Sequence, residues 1–474
     1  YPGYWAGDNE QNFGQDNGLA SVVVAGQSAA MSGYSIWSHD VGGYQDCCYS
    51  STLTNLFMRW TQFGAFTPIF QLHRQVSQSI QYPWSFGTNA LEIYRSYTKL
   101  HTALFPYIYS YAHESTSNGL PIIRPLVLLH PDDSNTHGIR HTYYFGNELI
   151  VAAIITNNAV TRDLYLPPGL WHDWWNPSVT YTGGQIATWS NADQSHFPVF
   201  IRHGAILPTI STNVMTLVDD AYLGHTNLAT WGGALDFTVY PSTQSAFRVF
   251  DGTQVSCTSN ETVTAVALTG PPRPVTFRIR GSTPVAVLRD GIRMPPYTNL
   301  AAWSAAGFGW FHDGSFTRVK FEHGGSPTGL RLGPDSVGDG VPDAWRQHYF
   351  GPATSTNAST CATCDADGDG VNNAAEYRAG TDPTASAEFL RVSGAALQPL
   401  PGTNRVRVSW ASKPGIPYRL EWKNDLADTS LWQLINTIYT GNNSTLDWFD
   451  DGSLTGLPPG DPPNNQRYYR IDVP

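Results

Sequence analysis

Short apolar runs, each followed by a polar residue, recur at a nearly constant interval near the start of the chain. The runs are residues 4–5, 34–37 and 68–72. Asp8, Asp40 and His73 follow them, at intervals of 32 and 33 residues. A (β/α)8 barrel spends about 250 residues on eight strand–helix units, roughly 31 per unit, and keeps its chemistry at the carboxyl ends of the strands. The pattern predicts three neighbouring units of such a barrel, with two carboxylates and an imidazole at one mouth.

Between these runs, apolar residues recur with the period of a helix. One apolar face ends at Gly33, a second ends at Gly64, and a third covers about residues 90–114. Pro106 is expected to kink the third helix or to start a new one, because proline lacks the amide hydrogen that an interior helical position donates. From about residue 120 onward the pattern changes to short strand-like runs separated by turn residues, which is typical of β-sandwich domains.

Composition and charge exclude some classes of partner. The chain has 474 residues and a formal net charge of −11, which argues against nucleic acid and anionic membranes. No apolar run approaches the ~20 residues that a membrane span requires. Folded-looking sequence begins at Tyr1 with no signal peptide, and this carries no information about export.

An acidic segment carries the most specific metal pattern. Its residues match D-x-D-x-D-G-x5-E, in which carboxylates at positions 1, 3 and 5, a carbonyl at 7 and a bidentate glutamate at 12 surround one Ca²⁺. The predicted calcium ligands are Asp365, Asp367, Asp369, the Val371 carbonyl, Asn373 and Glu376. The alternative is an acidic linker that binds no metal.

A second, imperfect copy of this pattern lies upstream. Asp335, Asp339 and Asp343 occupy matching positions, but Val337 replaces a ligand and Arg346 replaces the glutamate. This loop is predicted to be degenerate, with Asp339 or Asp343 available to a neighbouring ion. Between the two loops, the Cys361 and Cys364 pair is weak evidence for a metal site and favours a local disulfide.

The predicted fold class is multidomain α/β plus β. It comprises an incomplete C-terminal part of a (β/α)8 barrel at residues 1–117, a proximal β-sandwich at 118–208, a distal β-sandwich at 209–332, a calcium-binding loop segment at 333–384 and a terminal β-sandwich at 385–474. The terminal segment contains Trp410, Trp422, Trp432 and Trp448. They could form an aromatic platform for carbohydrate or surface anchoring, and core packing is favoured for Trp410 and Trp422.

Several ordered motifs resemble glycoside hydrolase family 31, the retaining α-glycosidases that include α-glucosidases and α-xylosidases. The motifs are Trp5-Ala-Gly-Asp-Asn9, Trp37-Ser-His-Asp-Val-Gly-Gly-Tyr44, Arg59-Trp-Thr-Gln-Phe-Gly-Ala-Phe66, His73, Pro83-Trp84, Leu104–Tyr109, Tyr165–Trp171 and Pro198–Pro208. The resemblance covers residues 1–210 well and residues 210–330 loosely. The acidic segment is similar to calcium-binding repeats of secreted bacterial proteins, which implies a bacterial protein that is secreted, periplasmic or on the cell surface.

The resemblance implies a role for each matching residue. Asp8 is the expected general acid/base, which needs a carboxyl that stays neutral near working pH. The expected substrate-binding residues are Trp5, Asp40, Tyr44, Arg59, His73 and Trp84. Alternatives remain open for four of them: Arg59 as a structural ion-pair partner, His73 as a core histidine, and Trp5 and Trp84 as packing residues.

The predicted function is hydrolysis of α-glycosidic bonds in oligosaccharides or polysaccharides, with no cofactor for catalysis. A retaining glycosidase needs a second carboxylate about 5–5.5 Å from the first, and the resemblance places that nucleophile on an earlier strand. Residues 1–474 are therefore expected to be a fragment that is inactive by itself. The alternative is a secreted protein without catalysis, either a carbohydrate-binding protein or a calcium-dependent adhesion module.

Overall fold

The computed structural model describes residues 3–45, 53–75, 82–218, 225–260, 262–351, 357–400, 403–427, 429, 431–456 and 466–474. The chain divides into two compact units. The first comprises Tyr1–Cys257, Leu268–Gly281 and Glu322–Ser326, and the second comprises Thr258–Ala267, Ser282–Phe321 and Pro327–Pro474. This division is coarser than the five predicted domains, and it splits the predicted distal sandwich between the units. Within the described ranges, no helix is both long and apolar enough to cross a membrane.

The α-helices are α1 Leu19–Met31, α2 Leu53–Gly64, α3 Thr88–Ala103, α4 Phe105–Asn118, α5 Leu126–Leu129, α6 Leu300–Ala305, α7 Asp343–Phe350 and α8 Asn373–Ala379. The strands up to residue 209 are β1 Tyr4–Trp5, β2 Trp37–Ser38, β3 Ile123–Pro125, β4 Thr142–Phe145, β5 Leu149–Ala152, β6 Thr161–Leu166, β7 Leu170–Asp173, β8 Thr180–Thr182, β9 Gln185–Ser190, β10 Val199–Arg202 and β11 Ile206–Thr209. The next strands are β12 Leu235–Val239, β13 Ser245–Arg248, β14 Gln254–Ser259, β15 Thr264–Thr269, β16 Arg273–Arg280, β17 Ala286–Arg289, β18 Ile292–Arg293, β19 Gly309–His312, β20 Phe316–His323 and β21 Thr328–Gly333. The last are β22 Val392–Leu400, β23 Thr403–Ala411, β24 Pro417–Lys423, β25 Gln433–Thr440, β26 Thr445–Asp450 and β27 Tyr468–Asp472.

The first unit begins with two parallel strands followed by isolated parallel bridges. β1 pairs with β2 in the register Tyr4↔Trp37, and Asp40 is bridged to Gln71 in the same direction. The predicted third strand over residues 68–72 is thus reduced to one bridged residue. Its start cannot extend the ladder, because Pro68 lacks a backbone N–H. The three predicted polar positions still follow three adjacent parallel segments.

α1 packs closely against the second strand. Its buried residues include Leu19, Val22 and Val23, which confirms the predicted apolar face. A Cβ added at Gly26 would lie 2.9 Å from the ring of Trp37, so glycine lets the helix backbone rest on the indole. Trp37 is 2% exposed, and this contact fixes the strand that leads to Asp40.

The third predicted helix is two helices. α3 ends at Ala103, and α4 begins at Phe105 with Pro106 in its first turn. Proline is favoured at this position because its missing N–H would have no partner there. The prediction that Pro106 starts a new helix is confirmed.

Two antiparallel sheets follow in the first unit. One has six strands in the order β3-β4-β5-β10-β7-β8, and the other pairs β6 with β9. The indole N–H of Trp189 in β9 donates to Asp173 in β7 at 3.0 Å, which ties the second sheet to the first. These sheets agree with the predicted proximal β-region. Further along, β12 pairs with β11 and with β16.

The second unit contains the two acidic loops and the terminal module. The terminal module has two three-stranded antiparallel sheets, β22-β23-β26 and β25-β24-β27. Trp410, Trp422 and Trp448 lie in its core with at most 6% exposure, and Trp432 lies beneath the guanidinium of Arg470 at 4.6 Å. The core position predicted for Trp410 and Trp422 is confirmed, and these burials leave no aromatic platform made of the four tryptophans.

Candidate active site and candidate metal loop

Four side chains of the first unit gather around the carboxylate of Asp40, and we call the five residues the Asp40 group: Trp5, Asp40, Tyr44, Gln71 and His73. The Trp5 indole donates to Asp40 Oδ2 at 3.1 Å, and the Gln71 amide donates to Asp40 Oδ1 at 2.6 Å. His73 Nδ1 lies 3.7 Å from Asp40 Oδ1. The Tyr44 ring packs between those of His73 and Trp5, at centroid distances of 5.1 and 6.4 Å.

Asp40 is fully buried, whereas Trp5 and His73 beside it are exposed to solvent. Burial raises the pKa of Asp40 above its ordinary value of 3.8, against the opposing effect of the hydrogen bonds from Gln71 and Trp5. The Trp5 residue is 43% exposed and the His73 side chain is 57% exposed. Asp40 therefore lies beneath the Trp5 indole and the His73 imidazole, and it fixes both rings at the surface.

Asp8 follows directly on β1 at the edge of the Asp40 group. Gly7 has φ of +89°, a conformation that favours glycine, and it turns the chain after the strand. The carbonyl of Asp8 accepts a hydrogen bond from Asn17 at 3.1 Å, and its side chain is exposed. Its charge also makes a small contribution to raising the pKa of Asp40. The structure thus brings together Trp5, Asp8, Asp40, Tyr44 and His73.

A buried histidine supports this site from behind. His39 accepts from the indole of Trp60 at 3.0 Å and stacks on Phe63 at 4.8 Å. Burial, with a smaller contribution from His101, lowers the pKa of His39 to about 3. The ring is neutral at ordinary pH and positions the segment before Asp40 rather than transferring protons.

Arg59 and Trp84 are not brought to the Asp40 group. Arg59 is 1% exposed, and its guanidinium donates to the carbonyls of Ala159 and His196 at 2.6 and 3.0 Å. This placement corrects its predicted role as a substrate ligand, because these bonds tie α2 to the β-region. Trp84 is 63% exposed and stacks on Tyr82 at 4.5 Å, and its role remains a prediction.

Gln71 is the member of the group that the sequence analysis missed. It stands two residues before His73, so both side chains leave an extended segment on the same face. That spacing was the available signal. A glutamine inside an apolar run does not by itself indicate a functional site, and the hydrogen bond from its amide to Asp40 is visible only in the structure.

In the intact, gene-encoded protein, we expect Gln71→Leu to lower kcat/KM about 10- to 100-fold for every substrate, because a hydrogen bond to a charged group contributes roughly 1.5–3 kcal/mol. The loss of a donor also raises the pKa of Asp40 further, so the acid limb of the kcat/KM profile moves to higher pH. Steady-state kinetics between pH 4 and 8 measure both effects. Ser38→Ala is the matched control, since the Ser38 hydroxyl donates to the amide oxygen of Gln71, at 3.4 Å, and its loss leaves the bond from Gln71 to Asp40 in place. An unchanged profile in the leucine variant would remove Gln71 from the site.

The acidic loop of the second unit gathers its carboxylates. Asp365, Asp367 and Asp369 each present an oxygen within 4.8 Å of the others. Asp365 accepts from the amides of Gly368 and Gly370, both at 2.8 Å, which folds the loop around its first residue. The Oδ2 atoms of Asp367 and Asp369 are buried and have no hydrogen-bond donor among the described residues.

Glu376 completes this loop from the first turns of α8. The residue is 0% exposed, and its Oε2 has no hydrogen-bond donor among the described residues. Burial, together with the charges of Asp367 and Asp369, raises the pKa of Glu376 to about 8. A buried carboxylate facing other carboxylates is costly unless a cation or a proton neutralises it. The donor set is oxygen only, which suits a hard divalent cation such as Ca²⁺.

Asn373 connects this loop to the segment that precedes it. Its amide nitrogen donates to the carbonyls of Ser359 and Cys361, both at 2.8 Å, and the residue is fully buried. Cys361 and Cys364 form a disulfide in the segment that accepts these bonds, as predicted. The predicted calcium ligation by Asn373 and by the Val371 carbonyl remains a prediction.

Comparison with known proteins connects the first part of the chain to one family. Residues 1–111 match the model of the "Glycosyl hydrolases family 31 TIM-barrel domain", and residues 119–207 match that of the "Glycosyl hydrolase family 31 C-terminal domain". The chain is 29% identical to an isomaltosyltransferase of Sporosarcina globispora over 67% of its own length and 30% of that protein. It is 30% identical to alpha-glucosidase 2 of Bacillus thermoamyloliquefaciens over 53% of its length and 31% of that protein.

A solved structure shows the same similarity. The dextranase of Flavobacterium johnsoniae, complexed with glucose, superposes with a TM-score of 0.60 at 26% identity, over 69% of this chain and 44% of that chain. The chain spans less than a third of the length of the curated relatives named above. The two matched regions, residues 1–111 and 119–207, belong to glycoside hydrolase family 31.

Proposed function

We propose that this chain supplies the acid/base side of a site that cleaves α-glycosidic bonds with retention, as in α-glucosidases and α-xylosidases. The observation that carries the proposal is the convergence of Asp8 on the Asp40 group at the ends of adjacent parallel segments. Sugars have apolar C–H faces and many hydroxyls, so an exposed indole beside polar side chains is the expected lining. The relatives named above act as a glucosidase, a dextranase and a transferase, and the proposed substrate is an α-linked oligosaccharide or polysaccharide.

Asp8 is proposed as the group that moves protons. It is the exposed carboxyl of the pair, and it follows the indole that would face the sugar ring. In the first step it protonates the glycosidic oxygen as the bond breaks, and in the second it removes a proton from the attacking hydroxyl. When that hydroxyl belongs to water the result is hydrolysis, and when it belongs to a second sugar the result is transfer.

Asp40 is proposed as a positioning residue rather than the nucleophile. Both its oxygens accept hydrogen bonds, from Trp5 and from Gln71, and the residue is fully buried. A nucleophilic carboxylate must instead reach the anomeric carbon from the face opposite the acid/base. Asp40 therefore orients Trp5 and His73 toward the substrate. We further propose that residues 1–474 by themselves do not turn over α-glycosides.

A mechanism-based fluorinated glycosyl fluoride tests this assignment in the intact, gene-encoded protein. The fluorine slows hydrolysis of the glycosyl-enzyme, so the nucleophile stays labelled and peptide mass spectrometry identifies it. We expect the label on a carboxylate other than Asp8 and Asp40, and Asp40→Asn should still be labelled. A label on Asp40 would contradict the assignment, and a protein that takes up no label would support carbohydrate binding without catalysis.

We also propose that the loop at Asp365–Glu376 binds one Ca²⁺. The support is independent of the sugar site: three carboxylates are clustered, and a fourth, Glu376, is fully buried with an oxygen that has no donor among the described residues. Such a loop, with the disulfide beside it, favours an oxidising compartment outside the bacterial cytoplasm. Millimolar Ca²⁺ in that setting could occupy even a weak site.

A further inference from the structure

In both acidic loops of the second unit, the first aspartate accepts hydrogen bonds from the same two backbone amides, and the two loops lie thirty residues apart in the sequence. Asp335 accepts from the amides of Gly338 and Gly340, both at 2.8 Å. Asp365 accepts from the amides of Gly368 and Gly370 at the same distances. The loops are therefore matched residue by residue.

The match continues through the end of each loop. Asp339 accepts from the amide of Val341, as Asp369 accepts from that of Val371, at 3.2 and 2.7 Å. Helices α7 and α8 then begin at equivalent positions, at Asp343 and at Asn373. Both of these residues are fully buried. The two segments are one structural unit used twice.

The loops differ at the position where a glutamate would close a calcium site. In the second loop this residue is Glu376, and in the first it is Arg346, and both are fully buried. The Arg346 guanidinium donates to Asp339 Oδ2 at 2.5 Å. It also lies 3.9 Å from Asp335 Oδ1 and 4.0 Å from Asp343 Oδ1. Its positive charge is thus placed among the three carboxylates of its own loop.

We propose that Arg346 is a built-in cation, which replaces the divalent ion in the first loop and makes that loop independent of calcium. Val337 supports this, because it stands where the second loop has Asp367 and removes one negative charge and one ligand. A guanidinium is always charged and offers five donors in a fixed plane, so it can satisfy several carboxylates at once. Under this proposal Asp339 and Asp343 pair with Arg346 and do not serve a neighbouring ion.

The arginine loop also prepares the calcium loop. Arg346 Nε donates to the carbonyl of Thr360 at 3.1 Å, and Asp339 Oδ2 accepts from the amide of Ala362 at 3.3 Å. In the same segment, the carbonyls of Ser359 and Cys361 accept hydrogen bonds from the side-chain amide of Asn373. The permanently charged loop therefore holds the connecting segment in place before any metal binds. This inference rests on the proposed Ca²⁺ site at Asp365–Glu376.

Calcium stoichiometry in the intact protein tests the inference. After chelator treatment and dialysis, isothermal titration counts bound Ca²⁺ in the wild type, in E376Q and in the double variant V337D/R346E. The double variant gives the first loop the residues of the second. We expect E376Q to bind one ion fewer than the wild type, and V337D/R346E to bind one more. V337D alone, which keeps the arginine, should match the wild type.

A second measurement, protease resistance, tests the inference even if the double variant does not fold without metal. Protease resistance of residues 335–350 should be unaffected by chelator in the wild type and should depend on Ca²⁺ in R346Q and V337D/R346E. If V337D/R346E gains no ion and no calcium dependence, the inference is wrong. If E376Q binds as many ions as the wild type while V337D/R346E still gains one, the proposed site at Asp365–Glu376 fails and the inference about Arg346 stands.

Discussion

Replacing Asp8 with alanine in the intact protein should slow turnover of natural α-glycosides about 10²- to 10⁴-fold, the range that general acid catalysis contributes. The reason is that a sugar alkoxide is a poor leaving group unless it is protonated. Aryl glycosides with strongly acidic phenols need no proton, so formation of the glycosyl-enzyme from them should be nearly unaffected. Steady-state kinetics over a series of phenols measure this difference as a steeper dependence on leaving-group pKa.

Asp40→Asn is the matched control for this experiment. It also neutralises one carboxylate of the pair, but it changes a buried residue that accepts from Trp5 and Gln71. Its effect should be the same for good and poor leaving groups, because it alters the lining of the site rather than the proton transfer. If Asp8→Ala lowered the rates of all substrates equally, or left natural substrates near the wild-type rate, the assignment of Asp8 would be wrong.

Calcium should protect the second acidic loop from proteolysis, and this is the second large effect that we expect. Binding to the folded loop alone stabilises it by about 2.7 kcal/mol when the ion is at 100 times its Kd. Cleavage within residues 357–384 should therefore slow with Ca²⁺ and accelerate with chelator. The antiparallel sheets between residues 123 and 202 should respond little.

Glu376→Gln should remove most of this protection, because it leaves one side-chain oxygen where bidentate ligation needs two. In chelator the same variant should resist protease better than the wild type, since a neutral amide removes the cost of keeping the Glu376 carboxyl protonated beside Asp367 and Asp369. Asp425→Asn changes the charge by the same amount at an exposed position and serves as the control. Cleavage that is identical in calcium and in chelator would show that the acidic loop is only a linker.

The sequence was most informative where one local rule determined the outcome. Pro106 separated α3 from α4 because its ring and missing N–H allow only the first turn of a helix. The period of Asp8, Asp40 and His73 placed them beyond adjacent parallel segments. Trp410 and Trp422 were assigned to the core from their places in alternating strands, and both are buried.

The sequence was least informative where distant packing decided a side chain's role. Arg59 lies in a family motif, yet its guanidinium satisfies carbonyls about 100 and 137 residues away in the chain. Nothing in the sequence indicated a functional role for Gln71. Its contact with Asp40 follows from the bridge that pairs the two residues. In the same way, the sequence pattern indicates only that Arg346 stands where a calcium ligand is expected, and its hydrogen bond to Asp339 is visible only in the structure.

The stereochemistry of azide rescue tests the central claim most directly. With Asp8→Ala in the intact protein and an activated aryl α-glycoside, added azide should attack the glycosyl-enzyme and restore part of the rate. Two displacements retain configuration, so proton NMR should show an α-glycosyl azide. A β-glycosyl azide would mean that Asp8 is the nucleophile, and an absence of both rescue and azide product would contradict its role as acid/base.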